Sequence, residues 1–87
     1  MAIDDEALAA AVRAAVARAC EIEPERVDLA TPLAELGLDS LAAAEVITDL
    51  EIGLGVEFPV DVLRQLTEAR TVGDVLDRLR DGLPVHG

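Results

Sequence analysis

Leu36-Gly37-Leu38-Asp39-Ser40-Leu41 pairs a helix stop with a helix start in the middle of an 87-residue chain. Asp39 is a natural N-cap, because a short carboxylate there accepts from amides of the first turn, which leaves Ser40 at the first helical position. From Ser40 the apolar positions Leu41, Ala44, Ile47 and Leu50 continue at helical spacing to about Leu54, where Gly53 and Gly55 stop the run. Ser40 therefore stands where unpaired backbone amides and the helix dipole favour an anion attached to its side chain. A plainer role, helping Asp39 to cap the helix, fits the position as well.

On the amino-terminal side, Leu8, Val12, Ala15, Val16 and Ala19 form one stripe and Arg13 and Arg18 fall off it, so the spacing predicts a first helix from Asp4 to about Cys20. Asp4, Asp5 and Glu6 sit at its start, where acids favour the positive end of the dipole. Glu21 to Leu38 carries Pro24, Pro32 and Gly37, and its Val27, Leu29, Leu33 and Leu36 suit a long loop pinned onto a core. A loop of this length tends to be functional. On the carboxyl side Val56-Glu57-Phe58-Pro59 reads as extended, and Pro59 opens a short helix through Leu63 and Leu66. Thr71-Val72-Gly73-Asp74 resembles a capping box with Asp in place of Glu, followed by Val72, Val75, Leu76 and Leu79 on one stripe and a stop at Gly82-Leu83-Pro84. The expected fold is all-α: a small antiparallel bundle of three long helices and one short helix, with a long loop between the first two. One domain is expected over residues 1–87, with its core in about 4–81 and a flexible tail at 82–87.

Composition narrows the function. Eighteen acids against seven Arg and no Lys leave a net charge of −11, the wrong field for nucleic acid or for an anionic membrane surface. At 52% hydrophobic the chain is too apolar for a disordered acidic segment, and its aliphatic content, with Phe58 as the lone aromatic, favours helices. The acids concentrate: residues 21–61 hold eleven of them and one Arg, and no base lies between Glu35 and Asp61. Such a face is either solvated or suited to basic patches on partner proteins. Cys20 has no second cysteine to pair with and reads as a small buried hydrophobe near a helix end. Met1-Ala2-Ile3-Asp4-Asp5-Glu6 lacks the basic character of a signal or transit peptide, and charges interrupt every apolar run, so a cytoplasmic monomer is expected.

Chemistry within the chain is sparse. The sole His, His86, lies beyond Pro84, so no Ser-His-Asp or Cys-His constellation can be assembled on a rigid element. One Cys, one His and no Asp-x-Asp-x-Asp-Gly loop leave no metal-ligand set, and Gly53-x-Gly55 reads as a helix stop rather than a phosphate loop. No catalytic residue and no metal site is expected. Ser40 is what remains.

The string Leu36-Gly37-Leu38-Asp39-Ser40-Leu41, preceded by Asp28-x-x-Thr31-x-Leu33 and followed by Glu45, Leu50 and Glu51, closely resembles the acyl carrier protein family. The resemblance continues through Val56-x-Phe58-Pro59 and Thr71-Val72-x-Asp74 and covers roughly residues 4–81. It implies that Ser40 is the attachment point of 4′-phosphopantetheine, transferred from coenzyme A by a separate phosphopantetheinyl transferase using magnesium, with Asp39 and Leu41 flanking the arm. The arm's thiol would carry acyl or aminoacyl groups as thioesters to successive enzymes, its flexible link raising local concentration at each active site. The resemblance also implies docking through the helix that Ser40 opens, with Leu41, Glu45, Thr48, Glu51 and Ile52 meeting basic surfaces of a loading enzyme, acyltransferase or ketosynthase.

Fatty-acid carriers often place an acid two residues after the serine and further acids late in that helix, where this chain has Ala42, Ile52 and Gly53. The Pro59 to Thr71 stretch also runs a few residues longer. These departures favour a discrete carrier of a polyketide or related specialised pathway, with fatty-acid synthesis or a nonribosomal peptidyl carrier as alternatives. Peptidyl carriers usually show Gly-Gly-His/Asp-Ser-Leu, and Leu36-Gly37-Leu38-Asp39 points to the acyl side. A non-enzymatic acidic helical adaptor, using Ser40 only as a cap, is the rival from another class.

Overall fold

Helix α1 spans Asp5–Cys20 in the computed structural model, which describes residues 4–82. The Asp4 carboxylate accepts from the Ala7 amide at 2.7 Å, and Asp5 and Glu6 follow in the first turn. Leu8, Val12, Ala15, Val16 and Ala17 are buried, so the stripe expected from spacing holds except that Ala17 replaces Ala19 in the deepest layer. Glu21 closes the helix at φ 58°, a left-handed conformation that costs a non-glycine residue about 1 kcal/mol. The Ile22 amide bonds the Ala17 carbonyl at 2.9 Å across that turn, satisfying an end-of-helix acceptor.

The segment between α1 and the next long helix is better ordered than its Pro and Gly content suggests. Pro24 starts a single 3₁₀ turn, Pro24–Arg26, and Pro32 precedes a one-turn helix α2, Leu33–Leu36, that Gly37 ends at φ 73°. Arg13, off the apolar stripe of α1, donates through Nε to the Val27 carbonyl at 2.9 Å and ties this segment down. Val27 and Leu33 are buried as anchors; Leu29, expected to be one, is exposed, and its carbonyl instead accepts from the Gly73 amide at 2.8 Å.

Helix α3 spans Ser40–Leu54, buries Ala42, Ala43, Val46 and Leu50, and ends at Gly55 with φ 66°. Helix α4, Val62–Glu68, begins three residues after Pro59, because the Val62 amide bonds the Pro59 carbonyl in a turn that precedes the helix proper. It buries Val62 and Leu66 and leaves Leu63 partly exposed. Helix α5, Val72–Gly82, is opened by the Asp-variant capping box: the Asp74 amide donates to Thr71 Oγ1 at 3.1 Å and the Thr71 amide donates back to the Asp74 carboxylate at 3.2 Å.

Helix α1 packs against α3 and α5, and α4 bridges the other two. The result is the expected all-α bundle, with α1, α3 and α5 as long members and α4 as the short one. One aliphatic cluster with Phe58 at its edge fills the interior. Leu8, Leu66 and Leu79 are its largest fully enclosed side chains, and truncating any of them to Ala costs about 2–5 kcal/mol. Of the tail expected at 82–87, Gly82 instead completes the last turn of α5, and residues 83–87, with His86, lie outside the described residues.

Candidate functional site

The approach to Ser40 is built by backbone contacts distant in sequence. The Leu33 amide donates to the Arg70 carbonyl at 2.9 Å and the Val72 amide to the Thr31 carbonyl at 3.1 Å, so residues 29–33 are stitched to the α4–α5 connection. From there α2 makes one turn, the Leu38 amide closes onto the Leu33 carbonyl at 3.3 Å, and the chain enters α3. The Asp39 side chain accepts from the Ala42 amide at 2.9 Å, and its carbonyl accepts from the Ala43 amide at the same distance. Asp39 is therefore the cap that the sequence indicates, and the capping role does not fall to Ser40.

Ser40 is the first residue of α3, is exposed, and is the chain's single serine. No acid lies in the first turn of α3, so the positive end of the dipole is neutralised only by the Asp39 cap. Ser40 and Asp39 border a cleft of about 480 Å³ that is also lined by Leu33, Ala34 and Leu38 and by Leu66, Thr67, Ala69 and Arg70. An accessible hydroxyl, an anion-favouring helix end and a partly apolar cleft suit a prosthetic group joined through a phosphodiester and continuing as a flexible chain.

Four of the five expected docking residues share one face. Leu41, Glu45, Thr48 and Ile52 recur at steps of four, three and four, and all are exposed, Leu41 by 71% and Ile52 by 78%. Glu51 lies to one side of that stripe, half-buried, its carboxylate accepting from the Phe58 amide at 2.9 Å. Asp49 is likewise engaged: Arg18 of α1 reaches it at 3.1 Å, an offset that the base-free run from Glu35 to Asp61 conceals. Cys20, at the end of α1, has its thiol held above the ordinary range by partial burial first and by the nearby Asp39 and Glu45 charges second. Sequence reasoning missed Thr67 and Arg70, which reach the site through tertiary contacts that no local spacing encodes.

The sequence pattern of the phosphopantetheine attachment site family matches residues 10–79. The chain belongs to that family. Phosphopantetheine-attachment domains carry covalent 4′-phosphopantetheine, and as carriers they are non-catalytic. Two curated relatives align with this domain: the polyketide synthase ThaG of Burkholderia thailandensis, 35% identical over 78 residues, and the non-reducing polyketide synthase tazA of Aspergillus terreus, 32% identical over 66. The alignments cover 90% and 76% of this chain but 1% and 2% of those proteins, so the attachment domain is a small fraction of each relative's length. Among the described residues no helix is long and apolar enough to cross a membrane, and no cluster of three His, Cys, Asp or Glu side chains is placed to hold a metal ion.

Proposed function

We propose that Ser40 is the attachment residue and that this domain carries acyl intermediates of a polyketide pathway between partner enzymes. The observation that carries the reading is the division of labour at the start of α3: Asp39 caps the helix and leaves the exposed Ser40 hydroxyl unused. When bound, the prosthetic arm supplies a thiol that holds cargo as a thioester. The chain's own residues present, orient and recognise. The α3 amino terminus stabilises the phosphodiester charge, and Asp39 keeps that first turn wound. Ser40 needs no neighbouring base, since a phosphopantetheinyl transferase supplies the catalysis; this domain itself performs no reaction.

Partner recognition falls to the exposed face of α3. Leu41 and Ile52 offer apolar contacts at either end, and Glu45, with Thr48 beside it, offers charge to basic surfaces of a transferase, loading enzyme, acyltransferase or ketosynthase. Glu51 belongs to this set more weakly, because its carboxylate is already engaged. The polyketide synthase relatives support the choice of pathway over fatty-acid or nonribosomal peptide synthesis. Incubation with coenzyme A, magnesium and a broad-specificity transferase, followed by intact-mass measurement, tests the carrier role. A single phosphopantetheine adduct is expected, and unmodified folded protein would leave the acidic adaptor reading in its place.

A further inference from the structure

The chain's cations are mostly spent. Arg13 bonds the Val27 and Pro24 carbonyls, Arg18 pairs with Asp49, Arg64 with Asp61 and Glu68, and Arg80 with Asp5 and Asp77. Of the remaining three, Arg26, Arg70 and Arg78, only Arg70 lines the cleft that also holds Ser40. Its backbone is fixed at both ends: the Arg70 amide donates to the Asp74 carboxylate at 3.1 Å, and its carbonyl accepts from the Leu33 amide at 2.9 Å. Its exposed side chain enters no ion pair or side-chain hydrogen bond among the described residues. In a chain of net charge −11, Arg70 is the one of these three unpaired bases that the fold sets on the Ser40 cleft. The other charged group lining the cleft, Asp39, already accepts from the Ala42 amide.

We infer that Arg70 binds the phosphodiester formed on Ser40, its guanidinium fork donating to the two non-bridging oxygens. This rests on Ser40 being the attachment residue. A guanidinium matches a phosphate's geometry with paired donors, and such charge-assisted bonds are about twice as strong as neutral ones. The contact spans the cleft from the α4–α5 connection to the start of α3 and fixes the first bonds of the arm on that side. The thiol end stays free to move.

Nuclear magnetic resonance on the full chain, before and after loading with coenzyme A and transferase, tests the inference. Intact mass is measured first: absence of an adduct refutes the Ser40 reading, whereas a complete adduct isolates the question of Arg70. In the loaded protein the Arg70 Nε–Hε resonance is expected to shift and its exchange with water to slow at least about threefold, while the other six Arg side chains stay unchanged. Arg70→Gln is expected to move the phosphorus resonance of the loaded protein, and Arg70→Lys to restore it only partly. An Arg70 resonance identical in both forms, with the same phosphorus resonance in wild type and Arg70→Gln, would overturn the inference. Arg70 is exposed, so neither variant is expected to unfold, and the wild-type comparison needs no variant at all.

Discussion

The Glu51 carboxylate accepts the Phe58 amide at 2.9 Å while the Glu51 carbonyl accepts the Val56 amide at 3.2 Å, so one acid of α3 fixes the chain that leaves the helix. Phe58, buried at the edge of the core, is thereby held in place. Glu51→Lys is expected to cost about 1–3 kcal/mol through the lost acceptor, lowering the melting temperature by roughly 5–15 °C, with Glu51→Gln recovering part of the loss. Thermal melts followed by circular dichroism check this, and an unchanged Glu51→Lys melt would contradict it.

Glu45 is exposed in the stripe of α3 and makes no such contact. Glu45→Lys is expected to leave stability within about 0.5 kcal/mol while slowing transferase loading roughly tenfold at low salt, the gap narrowing as salt screens the encounter. Stopped-time loading assays at two ionic strengths read this out. Equal rates for wild type and variant at low salt would show that the face is merely solvated.

Asp39 and Ser40 separate under substitution. Asp39→Ala removes the cap of α3 and is expected to cost about 1 kcal/mol, whereas Ser40→Ala, at an exposed first-turn position, stays within about 0.5 kcal/mol of wild type. Chemical denaturation of both variants measures the difference. A Ser40→Ala loss as large as that of Asp39→Ala would place the capping function on the wrong residue.

Cys20 gives a pH test. Burial and then the Asp39 and Glu45 charges raise its thiol above the ordinary range, so folding favours the neutral form. Any stability from this shift is present below the unfolded thiol's pKa and lost as pH rises through the higher folded value. Alkylation at pH 8 is expected to run slower in the folded than in the unfolded protein, and Glu45→Gln to speed it. Equal alkylation rates in the two states would contradict the assignment.

Residues 21–61 carry eleven acids and one Arg, and Arg18 relieves only Asp49. Self-repulsion there should weaken the bundle at low ionic strength, and raising salt to ~0.2 M is expected to lift the melting temperature by roughly 5 °C. A melt insensitive to salt would show that the charges are already screened.

The long helices were legible because their signals are local: Asp4, Asp39 and the Thr71–Asp74 box each bond an amide within three residues, and spacing exposes the buried stripes of α1 and α5. In α3 the expected stripe of Leu41, Ala44, Ile47 and Leu50 shares only Leu50 with the buried face, because an Ala-rich helix offers apolar residues on several sides. The place of Ser40 at the start of α3 was legible for the same reason, since cap and first turn are neighbours in sequence, whereas its proposed role rests on the resemblance of the surrounding string. The turns at Pro24–Arg26 and Leu33–Leu36 were not, because Pro and Gly mark breaks without saying what fills the space between them. Leu29 was misplaced because a short segment offers too few turns to fix a face. Arg18 beside Asp49, and Arg70 on the same cleft as Ser40, lie 31 and 30 positions from their counterparts, where only the packed bundle brings them together.

The central claim is that the prosthetic group is joined to Ser40 and nowhere else. Cleavage of the loaded protein after Arg yields the fragment Val27–Arg64, which holds Ser40 together with Thr31 and Thr48, and tandem mass spectrometry locates the added group within it. The expected result is modification of Ser40 alone in wild type and none in Ser40→Ala. Modification at Thr31 or Thr48, or an adduct that survives in Ser40→Ala, would contradict it.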